Sequence, residues 1–376
     1  MKTPLAWRNV LQSRVRSLIA LAGISFAILL IFTQLGFHAA ARSSATQVYD
    51  ALDFDVLILS TQYVFSARPG QFSRNRLEHL RAIDGVEFVA PVWIGLGEWR
   101  NPETRKEWLT LLLGIDLAQP PFHDSSLNAQ VPLLKVPDNA FGDVISRPEN
   151  GRIAPGVVSE LQHHRIRIVG ECAIGAGFVG GATLIASRDT FIRVFKEASV
   201  DRINLGLVKL APGTSVDRAA AEMKKRLWPE ATAVTRRELF DSEQAFWLHV
   251  KPIGIMFSSG VLVAFVAGAV ILYQILASEV QNRLGEYATL KALGYGPGYV
   301  YGTILRQALI FSVFAFVPAF CLALLLYGLL RHLAMVPIAM DLARASGVLL
   351  LTGLMCLSAT FLAIRKVRAA DPADLF

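Results

Sequence analysis

The stretch Ser17–Ala41, SLIALAGISFAILLIFTQLGFHAAA, contains no Asp, Glu, Lys or Arg. A helix that crosses a membrane needs roughly 20 mostly apolar residues, and this stretch supplies them. Three more stretches are free of charge for a comparable length: Pro252–Ser278, Gln307–Leu330 and Ala345–Ile364. The third helix starts before Arg306. The reading is a membrane α-helical protein with four transmembrane helices, at 17–41, 252–278, 302–330 and 345–364. An α+β domain, residues 42–251, is inserted between the first and second helices.

The first stretch has a rival reading. Lys2, Arg8, Arg14 and Arg16 precede it, and Ala39-Ala40-Ala41 is similar to a signal-peptidase site. A cleaved signal carries an apolar core of about 7–15 residues. The core here runs at least from Leu18 to Phe37, and that length favours a retained anchor. Residues 1–16 read as an interfacial amphipathic helix, with Thr3 as N-cap and Pro4 at its first position. The simpler account of the same residues is a topogenic charge cluster, and the two coexist.

The composition supports the membrane reading: 53% hydrophobic and 18% charged, with a mean hydropathy of +0.44. A soluble domain carries about 25% charged residues. The net charge of +7 raises the question of nucleic acid, but its distribution answers it. Residues 42–251 hold 25 basic and 25 acidic side chains, so the excess lies entirely with the apolar segments. Lys and Arg gather on the inner side of a membrane. The N-terminal segment, residues 279–306 and the tail 365–376 carry ten basic residues between them. Both termini are therefore expected in the cytoplasm, with 42–251 and the short loop 331–344 outside. Nucleic acid is not an expected partner. Tyr295, Tyr299 and Tyr301 suit an inner interfacial belt, and Phe246 and Trp247 an outer one. Cys172 stands alone in the outer domain, so no disulfide forms within that domain.

Strand and helix signals alternate in the outer domain. Residues 55–59, 86–92, 204–210 and 232–235 read as strands, and 74–82 and 216–227 as helices. Val216, Ala219, Met223 and Leu227 form one apolar helix face, with Ser215 as a plausible N-cap. The two ends, 53–92 and 204–235, together suggest one α+β layer. Residues 93–203 would be an inserted subdomain, with strands near 108–113, 165–169 and 183–186.

Three motifs carry chemistry elsewhere and are weaker here. Gly175-Ala-Gly177-Phe-Val-Gly180 matches GxGxxG, but a dinucleotide site needs those glycines to open a helix. The next residues, Gly181 to Ala186, read as a strand, so a glycine-rich turn is the better account. His163-His164 lies near Glu160, yet adjacent strand residues face opposite sides, and no HExxH occurs. No GxxxxGK[ST] occurs either, so the chain builds no P-loop of its own. Metal, cofactor and catalytic residues are none on this reading. Spans nearly free of ionisable groups argue against a proton-coupled pump.

The segment Ser278–Tyr301, SEVQNRLGEYATLKALGYGPGYVY, is the most informative. Glu279 and Arg283 stand at i,i+4 and support a helix, so the second span continues inward until Gly294 to Gly298 halt it. Such a segment either docks a partner or is an ordinary hairpin between two spans.

Residues 285–307, GEYATLKALGYGPGYVYGTILRQ, resemble the cytoplasmic loop of MacB/FtsX-like ABC permeases. The chain resembles DevC-type permeases in particular. The matching stretches are Pro4-Leu-Ala-Trp7, Leu18–Phe37, Glu98–Arg105, Ser146–Glu149, Arg165–Gly170, Glu286–Tyr295 and Ala370–Phe376. Residues 124–164 match less. The resemblance implies a homodimeric permease of the bacterial inner membrane, multi-pass, that is not itself an enzyme. It implies a cytoplasmic ABC ATPase subunit carrying ATP and Mg, a periplasmic adaptor and a TolC-like outer-membrane protein as partners. It further implies membrane lipid as surroundings, and lipid, glycolipid or other amphipathic cargo. The coupling segment 279–301 would touch the ATPase through Glu286, Tyr287, Ala288, Leu290, Lys291 and Gly294. An FtsX-like transmembrane regulator of a periplasmic hydrolase and a lipoprotein-releasing permease are the alternatives.

Overall fold

The computed structural model describes residues 14–175, 177–283, 285, 286, 289 and 296–369. The chain divides into two units, Ala41–Pro252 and the chain on either side of it.

Among the described residues there are four long apolar helices. Helix α1 covers Arg14–Asp50, and its residues up to Ala40 belong to the membrane unit. The outer domain contributes α2 (Arg74–Glu78), α3 (Ser125–Gln130), α4 (Arg188–Val194), α5 (Val216–Leu227) and α6 (Arg236–Ala245). The other spans are α7 (Ile253–Asn282), α8 (Pro297–Ala334) and α9 (Leu342–Ala369). Each of the four is long and apolar enough to cross a bilayer.

In the membrane unit the helices pack through small residues, as expected where lipid removes the hydrophobic driving force between helices. Ala308, Ala315, Ala319 and Ala323 are buried on one side of α8, and Ala359 and Ala363 on α9. Gly268 marks the closest approach: a Cβ there would lie 2.4 Å from Met355 Sδ and 2.9 Å from Ala27 Cβ. Helices α1, α7 and α9 therefore meet at a residue without a side chain. Ser25 Oγ donates to the Ala315 carbonyl at 3.0 Å, and Tyr327 donates its hydroxyl to the Phe32 carbonyl. Phe32 sits against Phe316 and Phe320, with centroids 5.7 and 5.8 Å away. Leu262, Val263, Leu325, Leu350 and Phe361 face outward, the arrangement lipid requires once backbone groups are paired within helices.

The outer domain is built on a nine-stranded sheet. Its strands are β1 (Val56–Ser60), β3 (Val86–Arg100), β4 (Glu107–Ile115), β5 (Asn139–Asp143), β6 (Val158–Leu161), β7 (His164–Cys172), β8 (Thr183–Ser187), β10 (Leu205–Leu210) and β11 (Ala231–Thr235). A separate pair joins β2 (Phe72–Ser73) to β9 (Arg202–Ile203). The order is β11-β1-β10-β3-β4-β8-β5-β7-β6. The 15 residues of β3 serve two neighbours. Val86–Val92 pair antiparallel with β10, and Val92–Arg100 with β4. Trp99 also pairs with Leu161 of β6, so β3, β4, β8, β5, β7 and β6 close on themselves.

Alternation along the strands feeds two cores. Val56, Ile58, Val89, Trp93, Leu112 and Leu184 enter one, with Leu77 of α2 and Ala219, Met223 and Leu227 of α5. Leu57, Leu59, Ala90, Val92, Leu113 and Ile185 enter the other, with Val48 and Tyr49 of α1 and Leu239 of α6. Burial on both sides explains why β1 reads as an unbroken apolar run rather than an alternating one.

One local expectation changes. Ser215 stands at the N-cap position of α5 but its side chain makes no capping bond. The full capping box belongs to α6, where Thr235 and Glu238 bond each other's backbone, the reciprocal arrangement that satisfies two orphan donors. Phe246 and Trp247, expected in an outer belt, are half-buried and pack with Phe65 at centroid distances of 4.7 and 5.5 Å, on a π-helical turn, 246–250, that continues α6 before α7 begins.

Candidate functional site

The segment between α7 and α8 is the candidate site. Helix α7 carries charge only at its end, where Glu279 and Arg283 lie on one face one turn apart. Arg283 Nε lies 3.3 Å from Glu279 Oε2, and its Nη1 lies 3.3 Å from Glu286 Oε2. One guanidinium thus spans two carboxylates, a geometry its fixed fork of donors permits. The surroundings differ sharply: the Glu279 side chain is 14% exposed and that of Glu286 59%. Arg283 therefore neutralises the inner acid and presents the outer one to whatever docks.

Glu279 also borders a cleft of about 330 Å³ within the membrane unit, walled by Ser17, Ala20, Gln274, Ser278 and Phe311. Its lining is apolar on the spans and polar at the end that holds Glu279. Thr289 Oγ1 donates to the Gly285 carbonyl at 2.9 Å, the back-bond a helical Thr makes four residues on. A Cβ at Gly285 would meet nothing within 4 Å. Gly296 then takes an extended conformation at the N-cap of α8, with Pro297 in its first turn, where a missing N–H does no harm.

Of the six residues expected to touch an ATPase, Glu286 is exposed and bonded to Arg283. Tyr287, Ala288, Leu290, Lys291 and Gly294 lie outside the described residues. Tyr295 of the proposed inner belt does too, while Tyr299 and Tyr301 stand in the first turns of α8. The sequence-derived set omits Glu279 and Arg283. Their i,i+4 spacing is the visible signal, but spacing alone does not say that Arg283 also reaches forward to Glu286.

The motifs of the outer domain resolve into structural roles. The Gly175–Gly180 stretch leads from β7 into β8 and opens no helix. Its glycines are needed for φ and for space. Gly175 and Gly177 have φ of +75° and +58°, and a Cβ at Gly177 would lie 2.1 Å from the Ser44 carbonyl oxygen. The buried Asp143 carboxylate holds this loop. It accepts from the N–H groups of Gly175 at 2.7 Å, Ile145 at 2.9 Å, and Ile174 and Thr183 at 3.3 Å. Burial pushes the Asp143 carboxyl up, against the pull of those four donors. His163 has φ of +59° in the β6–β7 turn, and His164 Nε2 lies 2.9 Å from Asp138 Oδ1. Among the described residues no three His, Cys, Asp or Glu side chains are placed to hold a metal ion.

Four long apolar helices, with an α+β domain inserted after the first, define a multi-pass inner-membrane protein. Residues 258–372, which include the whole candidate segment, match the family described as FtsX-like permease C-terminal. No curated protein matches the sequence. Among solved structures, the chain is similar to the periplasmic region of MacB from Actinobacillus actinomycetemcomitans, with a TM-score of 0.37 and 11% identity over 52% of this chain and 94% of that one. It is also similar to the extracellular domain of the noncanonic ABC-type transporter YknZ from Gram-positive bacteria, with a TM-score of 0.34 and 12% identity over 48% of this chain and 99% of that one.

Proposed function

We propose that the chain is the permease subunit of a DevC/MacB-type ABC exporter. The observation that carries this reading is the family match over residues 258–372, which takes in the segment between α7 and α8. ATP and Mg belong to a separate cytoplasmic ATPase subunit. The segment at 279–301 receives its motion through Glu286, Tyr287, Ala288, Leu290, Lys291 and Gly294. The exposed Glu286, backed by Arg283, supports that role by offering a fixed negative charge to a basic partner surface. Two copies of the chain form the working permease. The outer domain, its layer of residues 53–92 and 204–235 bearing the insertion 93–203, passes the motion to a periplasmic adaptor and a TolC-like duct. The cargo class is lipid, glycolipid or another amphipathic molecule, and it need not pass between the spans, which lack the buried charge of an ion path.

Co-purification tests the proposal. A tagged full chain, extracted in mild detergent with a non-hydrolysable ATP analogue, is expected to retain an ABC ATPase and a periplasmic adaptor. Failure to retain an ATPase under any nucleotide condition overturns it. Retention of an ATPase with a cell-wall hydrolase identifies a transmembrane regulator instead, and retention with a soluble lipoprotein carrier identifies a lipoprotein-releasing permease.

A further inference from the structure

Three side chains from distant parts of the outer domain meet in its interior. Tyr49 lies in the last turn of α1 and is fully buried. Tyr63 follows β1, and Glu243 lies on α6, 1% exposed. The two phenol oxygens are 2.5 Å apart, and Tyr63 donates its hydroxyl to Glu243 Oε1. The second carboxyl oxygen, Oε2, has no hydrogen-bond partner, and neither does the indole Nε1 of Trp247. Glu243 and Trp247 are spaced i,i+4, so they share a side of the chain, and the indole is near enough to favour the charged carboxylate.

No cation compensates Glu243. Among the described residues it takes part in no ion pair. Three basic groups on the elements around it are engaged elsewhere. Arg42 of α1 bonds Gln244 Oε1 at 2.9 and 3.0 Å. Arg236 of α6 bonds the Leu52 carbonyl at 2.9 Å and lies 3.8 Å from Asp50. Lys251 sits over the Phe246 ring. From the loop after β1, Tyr63 and the Ser66 peptide face the carboxyl. Burial raises Glu243 to about 7 against the pull of these donors, and burial likewise raises the Tyr63 hydroxyl well above its ordinary value.

An unpartnered oxygen beside an unpartnered N–H is an arrangement suited to one protonation state. A neutral carboxyl bearing its proton on Oε2 gains little from the indole, because the hydroxyl oxygen of a carboxylic acid is a donor and only a weak acceptor. An ionised Oε2 would accept from Nε1, and a charge-assisted bond is about twice as strong as a neutral one. Trp247 has alternative attachments, with ring centroids 4.7 Å from Phe178 and 5.5 Å from Phe65. Such aromatic pairs contribute about 0.5–1.5 kcal/mol beyond area burial.

We propose that Glu243 is a proton-operated switch inside the outer domain. With the carboxyl neutral, the Tyr49–Tyr63–Glu243 chain is closed and Trp247 rests on Phe65 and Phe178. When Glu243 ionises, Oε2 draws in the indole N–H, which already stands close to it, and the π-helical turn 246–250 that carries Trp247 shifts against Phe65 and Phe178. The proton goes to solvent. The moved segment is the last part of the outer domain before the chain enters α7 at Ile253, so the switch acts on the exit of the domain.

Hydrogen exchange on the full chain in nanodiscs, at several pH values from 5.5 to 8.5 and corrected for intrinsic exchange, tests this. Peptides covering residues 243–252 of the wild type should lose protection by about tenfold as pH rises, with a midpoint near 7, while residues 61–66, whose Tyr63 hydroxyl and Ser66 N–H bond the carboxylate more strongly, keep theirs. The variant Glu243→Gln, neutral at every pH, should stay at the wild type's low-pH protection. Unchanged protection in the wild type, or the same pH response in Glu243→Gln, overturns the proposal. Infrared difference spectra of the wild type keep the test open if the variant does not fold. A protonated carboxyl band must disappear between pH 6 and 8.5, and its absence also overturns the proposal.

Discussion

Arg283 stands one turn beyond Glu279, and its Nε lies 3.3 Å from the Glu279 carboxylate while the same guanidinium reaches Glu286. The pair with Glu279 is largely shielded from solvent, whereas the bond to Glu286 is open to it. An exposed pair contributes about 0–1 kcal/mol, so the outer contact is easily exchanged for a partner's cation.

Substituting Glu286→Lys is expected to lower ATPase stimulation by the permease about tenfold, equivalent to about 1.4 kcal/mol of lost coupling. Membrane abundance should stay at the wild-type level. ATPase assays on the reconstituted complex, with immunoblots of the membrane fraction, check both. Wild-type coupling in this variant would remove Glu286 from the proposed contact.

Substituting Arg283→Ala leaves Glu279 in a largely enclosed place without its cation. Removing one partner of such a pair destabilises by more than an exposed pair contributes, and about 1–3 kcal/mol is expected. Thermal unfolding in detergent should show a lower midpoint for Arg283→Ala than for Glu286→Ala. Arg283→Ala paired with Glu279→Gln should recover part of the loss.

Gly268→Val is expected to destabilise the membrane unit by about 1–3 kcal/mol, the usual effect of overpacking. The new side chain would meet Met355 Sδ and Ala27 Cβ at once. Met355→Ala in the same chain should restore part of the stability, since contacting residues do not behave additively. An unchanged unfolding midpoint in the single variant would contradict the close helix approach.

Asp143→Asn is expected to lower the stability of the outer domain by about 2–4 kcal/mol. Four backbone donors converge on the carboxylate, and an amide turns one oxygen into a donor facing them. Limited proteolysis should then cut first near residues 175–181.

The pH dependence of stability follows from Glu243. Its carboxyl is raised from 4.5 to about 7 in the folded chain, so the native state holds the proton more tightly than the unfolded one. The contribution is fully present below pH 4.5, declines as pH rises to about 7, and is constant above that. The slope is at most about 1.4 kcal/mol per pH unit. Wild-type stability minus that of Glu243→Gln should show this decline, and a flat difference would contradict it.

The four apolar helices and the two ends of the outer domain are legible in the sequence because each has a strong local signal. Helix α5 carries its buried face at Val216, Ala219, Met223 and Leu227, and β1 is a continuous apolar run. Strands β5 and β6 give no such signal. Asn139–Asp143, NAFGD, shows neither an apolar run nor a clean alternation, yet all five residues are buried where β5 pairs with β7 and β8. The candidate segment is legible as a motif between spans, but the sharing of Arg283 between two acids is a three-dimensional fact. Glu243 is less visible still. In RRELFDSEQA it is one polar residue among many, and only tertiary packing places it against Tyr63, 180 residues earlier in the chain.

The single pairing of Trp99 with Leu161 has a further consequence. A terminal strand offers unpaired peptide groups on which another chain can build, which is the route to runaway aggregation. By turning β6 back onto β3, the nine-stranded sheet disposes of one of its two ends. The remaining end is β11, a strand of five residues paired on one side with β1. So short an exposed edge is one of the ways a sheet limits the addition of a foreign strand.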